Sequence, residues 1–350
     1  MVEAFPSDAF IKQHFAIFES HQKNFDRAHK LIDEAITIRG RHPHFVNTQA
    51  NVLLREAVQE EDRSKADYLF NAGTKLLRER IERDADKEIH ILSLVERQLD
   101  WARRRDLNAS QRLAALEEAQ ADLDQARRRI PTSSDIALVS AKLNVELGKI
   151  PDAKNLLIKS VKLDGSNTRA RVLLARMQLT EGDAETAYQT VADGLVYDQR
   201  NFGLLRIQLD CIRKLNLEWA QYRKALMDYL QVSENDLIER INLIKGYFEA
   251  SDFASAQKQL DKLRRIDVSY GLRIKTQVPI MDGEFPLIRE GGYQASGIGK
   301  GFIKIFGFPN QLQASINLRA VPIHSNLRNG MKLKVELALN GKGLIATKIV

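Results

Sequence analysis

The chain has 350 residues, 44% of them hydrophobic and 28% charged, a composition ordinary for a soluble globular protein and a length sufficient for two or three domains. No run approaches the roughly 18 apolar residues of a membrane span, and the opening MVEAFPSDAF lacks the basic-then-apolar pattern of a secretory leader. Cys211 is the one cysteine, which excludes an internal disulfide and any multi-cysteine zinc site and sets the expectation of a reducing, cytoplasmic setting.

From residue 8 to about 267 the predicted elements are helix after helix: apolar residues recur every three or four positions, turns are short, and good helix formers dominate. A first helical pair is predicted over 9–42, marked by Phe15-Ala16, Asn24-Phe25, Ala28 and Ala35. Looser pairs with longer helices follow at 44–80 and 85–131, the second keeping register through Ala119, Ala126 and Pro131. Asn108 with Gln111 reads as a capping box, and Ser7, Ser134 and Thr168 as N-caps. The runs Arg103-Arg104-Arg105 and Arg127-Arg128-Arg129 read first as helix C-termini, where cations suit the helix dipole, and second as ligand contacts. Residues 134–167 and 168–201 form two 34-residue units in register, aligning Gly148 with Gly182, Ala153 with Ala187 and Asp164 with Asp198. The unit 202–236 needs one extra residue and puts Trp219 beside its turn, while 237–270 sets Ser251, Ala256 and Asp267 at the three aligned places. The stretch 268–285, with Pro279 and Gly283, reads as a linker.

These units resemble tetratricopeptide repeats, best at Ala175, Gly182-Asp183, Ala187 and Gly194. The resemblance covers residues 8–267 and implies a mostly α protein, a tetratricopeptide-like α-solenoid of six or seven helical hairpins. In such an array small residues let paired helices approach, and each hairpin buries its apolar face on the next. In the family's register the concave face takes Lys142, Arg176, Asp210 and Lys245, with Arg206, Arg213, Lys214 and Phe248 beside them. That is a mildly basic groove for a protein or peptide partner, such as an acidic peptide or a partner's helix, with a second copy of the chain as a further candidate. The same charges read equally as a solvated solenoid surface.

At about 286 the texture changes to clustered glycines and β-branched alternation, with Asn329-Gly330 and Asn340-Gly341 as turns. Residues 286–350 hold nine Lys and Arg against two acids; nine minus two equals the whole net charge of +7, so the helical part sums to zero. An anionic partner for this tail is the expectation. Strands are predicted at 293–297, 301–306, 312–318, 320–324, 332–339 and 344–350. The final stretch resembles the end of a cold-shock-type oligonucleotide-binding (OB) fold at Leu327, Gly330, Val335, Glu336, Lys342-Gly343 and Ala346. Upstream, KGFIK at 300–304 and VPIHSNL at 321–327 are similar to that family's two RNA-contact strands, with Pro322 and Ile323 standing where it often has aromatic residues. The resemblance implies a small all-β OB/cold-shock-like barrel binding RNA or single-stranded DNA through Phe302, Phe306, Phe308 and His324, with Lys300, Lys304, Lys332 and Lys334 on phosphates. Some of these Phe residues must also fill the small core.

Signals for catalysis fail on inspection. A phosphate-loop motif breaks at Gln294 and Gly301, and no nucleophile elbow is present. Five of the seven histidines lie in the first 44 residues without metal-ligand spacing, and Cys211 sits in a helical run as a packing residue. The sequence therefore predicts a non-enzymatic scaffold without cofactor, metal or membrane contact. Two alternatives stay open: a purely protein–protein adaptor, and the sensing end of a larger bacterial effector or defence protein.

Overall fold

Short polar side chains set where the helices begin. The structure, a computed structural model, describes residues 7–84, 88–297, 300–308, 312–317 and 327–350. Asp8, Asp62, Asn108, Asn167, Asp183, Asn201, Asp236 and Asp252 each accept from backbone N–H groups that the first helical turn leaves open. The Asn108–Gln111 capping box forms as read. Two caps fall one residue before the predicted ones: Ser133 caps in place of Ser134, and Asn167 in place of Thr168, because their side chains reach the amides of Ile136 and Ala170. Asp8 rather than Ser7 caps the first helix.

The described residues form two compact units, Met1–Glu181 and Gly182–Val350. In the first, α1 (Ala9–His21), α2 (Phe25–Arg39), α3 (Pro43–Gln59), α4 (Arg63–Arg83), α5 (Glu88–Ala102), α6 (Ala109–Arg129), α7 (Ser134–Glu146) and α8 (Ile150–Leu163) pair in sequence as hairpins, followed by α9 (Thr168–Thr180) on α8. The first helix of each hairpin also touches the first helix of the next, α1 to α3 to α5 to α7. Small residues make this possible: a Cβ on Gly73 would stand 2.5 Å from the Leu54 side chain. Ala16, Ala28, Ala35, Ala50, Ala57 and Ala66 are fully buried.

The second unit continues with α10 (Ala184–Leu195), α11 (Phe202–Leu215), α12 (Trp219–Val232), α13 (Leu237–Glu249) and α14 (Phe253–Arg265), each packed on the next. The repeat register has a backbone signature: Lys23, Gly148, Gly182, Asn216 and Ser251 all take left-handed φ, between +49° and +91°, and each is the fifteenth residue of its repeat. The turn therefore recurs even where glycine does not.

The stretch read as a linker holds α15 (Tyr270–Lys275), β1 (Val278–Pro279), β2 (Met281–Asp282) and the start of β3 (Phe285–Pro286). Beyond it, β4 (Ile288–Gly297), β5 (Lys300–Ile305), β6 (Gln313–Asn317), β7 (Lys332–Asn340) and β8 (Gly343–Ile349) close into a barrel in the order β7-β4-β5-β6-β8-β7. All these pairings are antiparallel except β6 with β8. Counted from β4, the strand order is 1-2-3-5-4-1, a five-stranded closed barrel of OB type. The glycine cluster serves this closure: a Cβ on Gly291 would meet Ile303 at 2.5 Å, and one on Gly301 would meet the Tyr293 ring at 2.3 Å. The strand beside β5 is Gln313–Asn317, within the 312–318 predicted; the strand predicted at 320–324, with His324, lies outside the described residues.

Barrel and helices share one core. Ile303, Ile305, Val335, Leu337 and Leu344 belong to the same buried cluster as Leu209, Leu226, Ile244, Phe248 and Leu260. Arg273 reinforces it, donating to the carbonyls of Leu263, Ile266 and Gly341, while its own carbonyl accepts from Gly341 N–H at 2.9 Å.

Candidate functional site

The outward face of the barrel collects most of the described nucleic-acid candidates. Along β7 the side chains alternate, Lys332 and Lys334 outward, Leu333 and Val335 inward, as a strand's period of two requires. Register places Lys332 and Lys304 on either side of Gly292, and Lys334 opposite Glu290. Phe302 is 40% exposed and Phe306 47% exposed, and the Phe306 ring lies about 4 Å from where a Gly292 Cβ would be. Two accessible aromatic rings and three outward lysines thus share the β7–β4–β5 face, over a bare glycine. Lys300 stands on β5, in register with Gly297 and Asn317. Phe308 is placed otherwise: its ring packs at a tilt against Phe253 at 4.4 Å and Phe248 at 5.7 Å, joining barrel to α13 and α14.

The helical candidates are mostly occupied by neighbours. In the first unit Lys142 is paired with Glu96 at 2.7 Å, and Arg176 is exposed. In the second unit Glu239, only 1% exposed, accepts from Arg206 at 2.9 Å, from Arg213 and from Asn242. Arg213 also donates to the Tyr222 hydroxyl and pairs with Asp210, and Arg206 lies over the Tyr229 ring. Burial alone would depress the two guanidinium groups, but these partners hold both above their usual value. Lys245 pairs with Glu249 along its helix. Phe248 does not line a surface: it is 2% exposed and belongs to the core. Cys211 is fully buried, and burial pushes its thiol up to about 11. Among the described residues no cluster of His, Cys, Asp and Glu could hold a metal, and no helix is long and apolar enough to cross a membrane.

One concavity in the first unit has no counterpart in the sequence reading. A groove of about 760 Å³ is lined by His21, Lys23, Arg55, Arg97 and the Arg103–Arg105 run, among others. The Arg triplet was legible as a candidate ligand contact; His21, Arg55 and Arg97 were not, because they come from three helices and share no spacing.

Geometry and repeat register together define the class: a tetratricopeptide-like helical solenoid carrying a C-terminal five-stranded β-barrel. No protein-family profile and no curated protein matches the chain. Solved structures similar to it include the tetratricopeptide protein TTC0263 of Thermus thermophilus, at 18% identity and TM-score 0.46, covering 60% of this chain and all of that one. Another is YrrB, a tetratricopeptide protein described as having an unusual peptide-binding site, at 13% identity and TM-score 0.40, covering 56% of this chain and 94% of that one. Yeast Tom70 is similar at 12% identity and TM-score 0.49, covering 79% of this chain and 55% of its own.

Proposed function

We propose that the chain is a binding scaffold whose helical array holds a protein partner and whose barrel binds single-stranded RNA or DNA on the β7–β4–β5 face. The observation that carries the nucleic-acid half is the pairing of exposed Phe302 and Phe306 with outward Lys304, Lys332 and Lys334. Exposed rings stack on unpaired bases at about 1–3 kcal/mol each, and lysines neutralise phosphates as counterions leave. OB-type barrels bind oligonucleotides on a face that includes strand two, which here is β5, the strand that carries Phe302 and Lys304. A filter-binding titration of the full chain with a single-stranded oligonucleotide tests it. Phe302→Ala should weaken binding about tenfold, and Lys332→Glu with Lys334→Glu should flatten the salt dependence. Binding indifferent to all three substitutions would remove the proposal. For the array, Arg176→Glu reverses an exposed charge without breaking an ion pair among the described residues, and loss of a captured protein partner is the expected result.

A second reading is favoured by Phe308. Its seat between Phe248 and Phe253 suits a barrel that docks on the helices as a structural end-piece of a protein–protein adaptor. Oligonucleotide binding that is absent at low salt selects this reading.

A further inference from the structure

The groove at the ends of α1, α3 and α5 gathers cations with too few partners. Its lining carries Lys23, Arg55, Arg97, Arg103, Arg104 and Arg105 against Glu60, Glu61, Asp100 and Asp106; six against four leaves an excess of two positive charges. Several of these are already neutralised. Arg104 is paired with Asp106 at 2.7 Å, Arg103 with Glu146 at 2.8 Å, and Arg97 with Asp100 at 2.7 Å. Lys23, Arg55 and Arg105 have no carboxylate within ion-pair distance among the described residues.

Arg55 is the unusual member. It is partly buried, yet its hydrogen-bond partner is another basic group, the Nδ1 of His21 at 2.9 Å. In that arrangement His21 accepts and is neutral, leaving its Nε2–H as a donor. Burial first, and Arg97 second, push the Arg55 guanidinium below its ordinary value; burial, Arg55 and Arg97 do the same to His21. The nearby acids Asp100 and Glu96 are held by Arg97 and by Lys142, each at 2.7 Å. The Arg97 Nε is buried without a hydrogen-bond partner. Helix dipoles favour cations in a last turn, but α3 and α5 carry none there: Arg55 and Arg97 stand a full turn inside the ends, and Arg103, Arg104 and Arg105, read from the sequence as a helix C-terminus, follow the end of α5. Mutual repulsion of this kind opposes folding unless an anion relieves it.

We propose that this groove binds a phosphate monoester, with Arg55 and Arg97 as the principal donors and His21, Lys23 and Arg105 around them. The guanidinium fork matches phosphate oxygens two at a time, and a dianion cancels the excess of two charges, which a single carboxylate does not. The proposal is independent of the barrel and of the partner reading above.

The test is a thermal-shift and calorimetric titration of the full chain at constant ionic strength. The probes are inorganic phosphate, O-phosphoserine, a phosphoserine peptide and, as a monoanion, acetate. Phosphate and phosphoserine should raise the melting temperature saturably and acetate should not. Arg55→Gln should weaken phosphate at least tenfold while melting no lower than the parent without ligand, because a repulsion is gone. Arg55→Lys, which keeps charge and loses the fork, should also weaken it, and Lys159→Gln, at an exposed position of the same unit, should bind like the parent. A phosphopeptide at least tenfold tighter than inorganic phosphate assigns the site to a modified protein segment; equal affinity assigns it to a small phosphate compound. An unchanged phosphate effect in Arg55→Gln, or an acetate effect equal to phosphate, overturns the proposal.

Discussion

Replacing Phe308 by Ala should loosen the barrel and the last helices together. The ring is half-buried and contacts Phe253 and Phe248, while Phe248 itself is 2% exposed in the core that the two layers share. A fully buried Phe→Ala change costs about 3–5 kcal/mol. Half burial leaves about 2 kcal/mol, and two lost ring contacts add about 0.5–1.5 kcal/mol each. The total, about 3–5 kcal/mol, corresponds to a drop of about 1.5–2.5 M in urea midpoint for a slope near 2 kcal/mol/M. Trp219, edge-on to Tyr247 at 5.7 Å, reports the helical side once Trp101, the other tryptophan, is replaced by Phe. Hydrogen exchange at the β5 and β7 amides reports the barrel. Both should shift by the same amount. Barrel amides losing protection while the Trp219 midpoint stays in place would refute a common core.

Gly246→Ala should destabilise despite the better helix former, because its Cβ would sit 2.1 Å from the Trp219 ring; overpacking of about 1–3 kcal/mol exceeds a propensity gain of about 1 kcal/mol, and the melting temperature reads the difference. Glu239→Gln strips the buried anion that holds Arg206 and Arg213 and should cost about 2–3 kcal/mol in chemical denaturation, below the full buried-pair value because both guanidinium groups are partly solvated. Cys211 should alkylate more than a hundredfold slower than free cysteine at pH 8 in native protein and at the ordinary rate in denaturant, since its thiol titrates at about 11 rather than about 8.5. The sign for stability follows: the folded value lies above the unfolded one, so Cys211's contribution is whole below about pH 8.5 and is lost as pH rises toward 11.

The helical part was legible because its signal is periodic. Ala28, Ala153, Ala187 and Ala256 hold one place in the repeat and all four are fully buried. Even the degenerate turns keep time, since Asn216 and Ser251 can adopt the left-handed backbone that Gly148 and Gly182 take freely. What failed was local or long-range. Caps missed by one residue where two adjacent polar residues could each serve: Ser133 accepts from the Ile136 amide, while the Ser134 hydroxyl bonds to Ser160. The strand at Gln313–Asn317 lies within the 312–318 predicted, whereas its parallel pairing with β8 had no local signal, because barrel pairing is set by partners distant in sequence. The docking of the barrel on α13 and α14 left no motif: Phe308, Arg273 and Gly341 are each unremarkable alone. The Arg55 groove was illegible for the same reason.

The two cationic surfaces differ in kind, and salt separates them. On the barrel, exposed lysines are solvated point charges, and a strand crossing three of them should release about two counterions, from about 0.7 per phosphate contact. Raising salt fourfold, from about 50 to about 200 mM, should then weaken oligonucleotide binding about 16-fold. In the groove, Arg55 is partly buried, and its fork acts at contact distance, well inside the Debye length of about 8–10 Å. Phosphate binding there should fall only about two- to fourfold over the same range, because contact pairs in a partly buried site are screened less. Equal salt slopes for the two ligands would mean that the groove is one more stretch of solvated surface, and that the contact between Arg55 and His21 is not a preformed anion seat.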